Sequence, residues 1–194
     1  DFHTLRNGHA VSPKLRVPTH SYVFEKFAEA NKITSKNFVS VGSLAQGGLS
    51  NAWGCGVARL SPLELEKFPF SHTDIQSSYE TVTNRMGVSG AAQDDLSTYF
   101  GLDEWADPPI PLDDLHRRIL EKYESNKTSI SPSGLKLGRS RVAALSMDRG
   151  TRKACDLSGN CLWGCDKRAL YSATEDLERL QRSNNFHYRS GFVV

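Results

Sequence analysis

The stretch Gly47-Gly48-Leu49-Ser50-Asn51-Ala52-Trp53-Gly54-Cys55-Gly56 places four glycines in ten residues. It follows Phe38-Val39-Ser40-Val41, which reads as a short strand. Glycine lets a backbone approach a ligand closely and take positive φ without a Cβ clash. Ser50 and Asn51 add hydroxyl and amide hydrogen-bonding groups, and Trp53 adds a flat apolar face. A strand feeding such a turn suits a large planar or phosphorylated cofactor. A tight, well-capped loop with no ligand explains the same residues, and on composition alone that reading comes first, because glycine clusters are common in loops.

The rest of the chain sets the frame for this loop. Its 194 residues make one large domain or two small ones, enough to bury a core. Hydrophobic residues at 38% and charged residues at 24% fit a soluble globular protein, with a cytoplasmic location expected. A net charge of +2 is too small to argue for nucleic acid or an anionic membrane as partner. No apolar run approaches the roughly 20 residues that span a bilayer. No secretory signal is visible at the start. The chain opens at Asp1 and closes on Phe192-Val193-Val194, which reads as a strand cut short, so a segment of a longer protein is expected.

Along the chain the patterning mixes α and β. Val23, Phe24, Phe27 and Ala30 give Tyr22 to Asn31 a helical face. Ser61-Pro62-Leu63-Glu64 carries a capping box with proline at N1, and Pro69 keeps that helix short. A second helix starts at Ser71-His72-Thr73-Asp74, with a stripe of Ile75, Tyr79, Val82 and Met86 and an αL cap at Gly87. Residues 88–111 are irregular, but Tyr99, Phe100 and Trp105 argue for a packed loop. Leu112, Leu115, Ile119 and Tyr123 share one side of a helix from Leu112 to Tyr123. Leu135 to Ala144 reads as a strand weakened by Gly138. Ser172-Ala173-Thr174-Glu175 reads as another capping box, opening a helix that ends at Asn184-Asn185. Phe186 to Val194 reads as a strand or hairpin.

Three of the four cysteines cluster as Cys155, Cys161 and Cys165, spaced C-x5-C-x3-C. Closely spaced thiolates bind zinc or iron, but a closed structural site needs four ligands. The remaining cysteine, Cys55, is far upstream, and no histidine lies nearby. No metal site is therefore assigned. Buried structural thiols, acting as small hydrophobes, are the first reading. A disulfide between two of the three comes second, and Lys167 and Arg168 stand where they would lower the Cys165 pKa.

The segment from Gly47 to Gly54 resembles the second flavin-contacting motif of the glucose–methanol–choline (GMC) oxidoreductases. It is most similar to a bacterial branch associated with sugar or polysaccharide biosynthesis. Phe68-Pro69-Phe70-Ser71 and the helix ending in Met86-Gly87-Val88-Ser89-Gly90 resemble that branch as well. So does the segment from Cys155 through Tyr171-Ser172 to Asp176-Leu177, and so does the closing helix that leads into a strand carrying Val193. The likeness runs from about Pro13 to the end. It implies an α+β segment of a two-domain flavoprotein, mainly helices and loops with a few short strands. Residues 36–60 would form the FAD-contacting strand and loop, 61–150 a helical insertion toward the substrate domain, and 151–194 the return to the FAD domain. Gly47, Gly48, Ser50 and Asn51 would lie along FAD, Trp53 and Gly54 would approach the isoalloxazine, and Val193 would sit near the adenine end. The reaction implied is oxidation of an alcohol or sugar-like hydroxyl, with hydride passing to flavin.

Two family features are missing. No G-x-G-x-x-G precedes Gly47, although that motif sets a pyrophosphate on a helix N-terminus. The family's catalytic histidine lies near the C-terminus, and His3, His9, His20, His72, His116 and His187 match no such motif. His116, beside Arg117 and Arg118, reads as solvated, and His72 as a residue of a helix start. No catalytic residue is assigned, and the segment alone is expected to be inactive. Two other classes compete with the flavoprotein reading. One is a cysteine-based metal-binding or electron-transfer module. The other is a non-catalytic interaction domain, in which exposed apolar surface around Leu49 and Trp53 would meet a partner or a second copy.

Overall fold

A computed structural model describes residues 17–34, 36 and 41–192. These residues are mostly helices and loops, with 37% helix, 5% strand or bridge and no sheet. None of their helices is long and apolar enough to cross a membrane. The chain divides into two compact units. The first joins Asp1–Gly54, Gly159–Cys165 and Ser172–Val194, and the second joins Cys55–Ser158 with Asp166–Tyr171.

In the first unit, the helix expected over Tyr22 to Asn31 is two single turns, α1 (Ser21–Phe24) and α2 (Phe27–Ala30). The break is at Lys26, whose φ is 59°. It sets the Phe27 ring against Gly42, where an ideal Cβ would stand 2.0 Å from Phe27 Cζ. Apolar periodicity registers which residues seek the core, not this backbone reversal between them. Val23, fully buried, packs with Ala52, Phe24 and Val41. The strand expected at Phe38 to Val41 falls almost wholly outside the described residues. Residues 186–192 form no strand, so the expected closing strand is not seen there, and Val193 and Val194 lie outside the described residues.

The second unit begins its helices with α3 (Pro62–Leu65), where the capping box forms as expected. The Glu64 N–H donates to Ser61 Oγ at 3.3 Å, and the Ser61 N–H donates to Glu64 Oε2 at 2.7 Å. Helix α4 (Gln76–Met86) ends on Gly87 at φ 73°, again as expected. It starts later than Ser71, because Ser71 and Asp74 close a local turn first: the Ser71 N–H donates to Asp74 Oδ2 at 2.8 Å. A single turn, α5, spans Ser97–Phe100.

Helix α6 (Asp114–Ile130) outruns the expected Leu112–Tyr123 at its C-terminal end. Asp113 caps it, accepting the His116 N–H at 3.0 Å. Arg117 extends the exposed side through Asp114 and Glu121, both at 3.0 Å. Past Tyr123, the last apolar residue of the stripe, Lys127 pairs with Glu124 at 3.8 Å on the same helix and with Asp95 at 2.5 Å. Of that stripe Tyr123 is buried, whereas Leu115 and Ile119 are exposed. Asp113→Ala should remove about 1 kcal/mol of stability, read as a lower denaturation midpoint, with the loss confined to this cap.

The stretch expected as a strand at Leu135 to Ala144 is instead the spine of this unit, built from isolated bridges. Val142 bridges antiparallel to both Gly56 and Ser89, and Ala144 bridges antiparallel to Leu170. The Ala143 N–H donates to the Cys55 carbonyl at 2.7 Å, and the Tyr171 N–H donates to the Ala143 carbonyl at 2.8 Å. Each partner contributes one or two residues, so the backbone bonds of the spine are met without a continuous ladder. Arg141, Ala143, Ala144 and Leu145 are all buried.

A fully buried arginine opens that spine. The Arg141 guanidinium donates to Asp103 Oδ1 at 2.5 Å and to Asp94 Oδ1 at 3.1 Å, and it stands 5.3 Å from the centre of the Phe100 ring. Arg152, also buried, donates to the carbonyls of Met86, Arg168 and Ala169. Arg149 grips both oxygens of Asp107 at 2.7 and 2.6 Å. Bidentate, planar guanidinium bonding suits these places better than a lysine.

Burial opposes ionisation of Asp103, yet hydrogen bonds from Ser97, the Gln93 N–H and Arg141 outweigh it and hold the carboxyl below its usual value. A carboxyl depressed in the folded state adds stability above its unfolded pKa of about 3.9, and that stability is lost as pH falls through the folded value. The urea midpoint should therefore fall as pH drops below about 4, and Asp103→Asn should flatten that acid limb.

Candidate functional site

The glycine loop lies in the first unit as a turn of 3-10 helix, Gly48–Asn51, entered from Gly47 at φ 82°. Its polar side chains are spent on the loop and on one distant segment. Ser50 Oγ donates to the Gly47 carbonyl and accepts the Ala173 N–H at 2.9 Å. The Asn51 amide nitrogen donates to the carbonyls of Gln46 at 2.6 Å and Gly48 at 3.0 Å. Asn51 Oδ1 accepts the Ser172 hydroxyl at 2.7 Å and the Thr174 hydroxyl at 3.3 Å.

Ser172 was expected to cap the helix that follows. That helix, α7 (Thr174–Leu180), has Ala173 at its N-cap and no side-chain capping bond. The Ser172 hydroxyl instead donates to Asn51 Oδ1, while accepting the Thr174 N–H at 3.2 Å. The helix also stops at Leu180, short of Asn184. A local sequence pattern cannot register a competing acceptor more than a hundred residues away.

The two glycines of the pair have different jobs. A Cβ on Gly47 would lie 2.3 Å from Thr174 Oγ1 and 2.9 Å from Ser172 Oγ, so Gly47 is required by packing. A Cβ on Gly48 would meet no atom of the described residues within 4 Å, although its φ of 57° also favours glycine. Gly48 thus presents a bare backbone edge with open space beside it. Leu49 is 42% exposed, Trp53 is half-buried, and Gly54 is exposed. Val193 lies outside the described residues.

The side-chain groups of Ser50 and Asn51 are taken up within this unit, and of the glycine pair only Gly48 has open space beside its backbone. Ser50 and Asn51 hold the shape of the loop. Ser172 and Thr174 are the residues of this site that the sequence reading missed. The only local signal was their place beside Tyr171, in a segment already singled out for its likeness to flavoproteins.

None of the four cysteines is joined in a disulfide. Cys55 is buried, Cys155 and Cys165 are half-buried, and Cys161 is exposed. Burial of the whole cluster is therefore not what forms: Cys161 sits on a surface turn, Asn160–Leu162, with Leu162 and Trp163 exposed beside it. The described residues contain no group of three or more His, Cys, Asp or Glu side chains that could hold a metal ion. His116 is exposed and pairs with Asp113 at 2.6 Å, and His20 is buried.

No known protein-family profile matches the chain, and no curated protein matches it significantly. The likeness to GMC oxidoreductases rests on the motif residues themselves.

Proposed function

We propose that this chain is the FAD-facing segment of a GMC-type oxidoreductase acting on an alcohol or sugar-like hydroxyl. The observation that carries the reading is the division of labour within the glycine pair. Gly47 is held against Ser172 and Thr174, and Gly48 leaves a bare backbone edge beside open space. Close backbone approach to a cofactor calls for such an edge. In this reading the backbone of Gly47, Gly48 and Leu49 faces the FAD, and Ser50, Asn51, Ser172 and Thr174 are positioning residues. Trp53 and Gly54 lie on the isoalloxazine side. Bound FAD supplies the hydride acceptor for the alcohol.

The role of this chain is binding and orientation. None of its residues is assigned to proton transfer. The test is the absorbance and extractable cofactor of the full-length parent protein. Tightly bound FAD, bleached by an alcohol substrate without air, is the expected result. A parent protein that purifies without flavin and takes none up on addition of FAD would overturn the proposal.

A further inference from the structure

Two faces of the second unit are left open, and they carry opposite charge. The first is one edge of α6. Leu115 and Ile119, 64% and 48% exposed, stand one helical turn apart there. That spacing puts their Cβ atoms about 5–6 Å apart. Arg118 and Lys122 lie along the same edge, because residues three and four apart share a helix face. Arg117 takes the neighbouring carboxylates, Asp114 and Glu121. Among the described residues Arg118 and Lys122 have no ion-pair partner.

The second face is an open groove of about 630 Å³ that runs from α3 to Asp74. Phe68 and Phe70 line it, 49% and 38% exposed, with ring centres 5.4 Å apart. Pro62 and Pro69 extend its apolar wall, and Glu66 and Asp74 supply its charge. The Ser71 N–H and hydroxyl bond to the Asp74 carboxyl and hold it below its usual value, so it is ionised at neutral pH. Among the described residues Glu66 is ion-paired with no cation. Lys67, the only lysine or arginine of this stretch, does not line the groove.

Exposed apolar groups rimmed by charge mark interaction surfaces. A helix laid with its apolar side in a hydrophobic groove is a recurring mode of recognition. Here both halves of such a contact belong to one chain and share no residue. Two aliphatic side chains about 5–6 Å apart match two rings 5.4 Å apart in spacing. Two cations without partners match two carboxylates in charge, and such complementarity fixes register.

We propose that the α6 edge of one copy docks in the α3 groove of a second copy. Leu115 and Ile119 meet Phe68 and Phe70, and Arg118 and Lys122 face Glu66 and Asp74. A contact between unlike faces is heterologous, so a dimer keeps one free edge and one free groove and adds further copies. The proposal does not depend on the flavin reading.

The test is sedimentation of this chain and of two variants. Arg118→Glu with Lys122→Glu reverses the edge and leaves the groove intact. Glu66→Lys with Phe68→Ser spoils the groove and leaves the edge intact. All four side chains are exposed, so both variants should keep the melting temperature of the unaltered chain. The unaltered chain should grow in mass with concentration, and added salt should weaken the association. Each variant alone should need at least about tenfold more protein to associate. Mixed one to one, the two variants should form a dimer and nothing larger, because one supplies the groove and the other the edge. An unaltered chain that stays monomeric at millimolar concentration would overturn the proposal. So would association that survives in either variant, or a mixture that remains monomeric. Should either double variant unfold, Lys122→Glu and Glu66→Lys singly take their place, with the same outcomes decisive.

Discussion

Arg141→Met should destabilise the second unit by about 3–5 kcal/mol, the range for breaking a buried ion pair from one side. The Arg141 side chain is fully buried, while Asp94 and Asp103 retain only 14% and 20% of their side-chain exposure. Methionine matches much of the arginine stem, so packing alone changes little. The charge does not: both carboxylates lose their shared partner in a place where water replaces it poorly. The stacking on Phe100 goes as well. Denaturant unfolding at neutral pH gives the measurement. Adding Asp103→Asn to Arg141→Met should recover part of the loss, because one stranded charge is removed. A single variant as stable as the parent would show that the network contributes little. Arg141→Lys should fall between the two, since an ammonium keeps the charge without the fork that spans two carboxylates.

The second large effect is on cofactor content. Gly48→Val in the full-length parent protein should abolish flavin loading, read as lost absorbance in the flavin bands of purified material. The structural cost is limited, because among the described residues no atom lies within 4 Å of the new Cβ. What remains is the positive φ, at about 1–2 kcal/mol for a side-chain-bearing residue. Gly47→Ala makes the contrast: its Cβ would collide with Thr174 Oγ1, so it should lower stability and flavin content together. A Gly48→Val protein with full flavin content would place the cofactor away from this edge.

The parts legible in sequence were those decided by neighbours. The Ser61-Pro62-Glu64 box and the Gly87 cap depend on a few adjacent residues, and both form where the pattern puts them. The break at Lys26 was not legible, because Val23, Phe24 and Phe27 keep helical spacing across a non-helical residue. Arg141 was hidden for another reason. A charged residue reads as surface until its carboxylate partners are known, and Asp94 and Asp103 are remote in sequence. At the loop, the glycines marked the place. They did not reveal that Asn51 would be occupied by Ser172 and Thr174 instead of facing outward. Long-range hydrogen bonds overrode local capping preference there.

The spine at Arg141–Leu145 also governs how the chain is made. Its hydrogen-bond partners include Cys55, Val57 and Ser89, all of which leave the ribosome well before it does. Until residue 145 has emerged, those earlier segments carry backbone groups and apolar side chains with no place to dock. Contacts of such sequence separation slow folding and lengthen the time during which a nascent chain can associate wrongly. Translation arrested before Arg141 should yield a protease-sensitive, chaperone-bound intermediate, and its conversion in one cooperative step should wait until Ala169 and Tyr171, which bond to Leu145 and Ala143, have emerged.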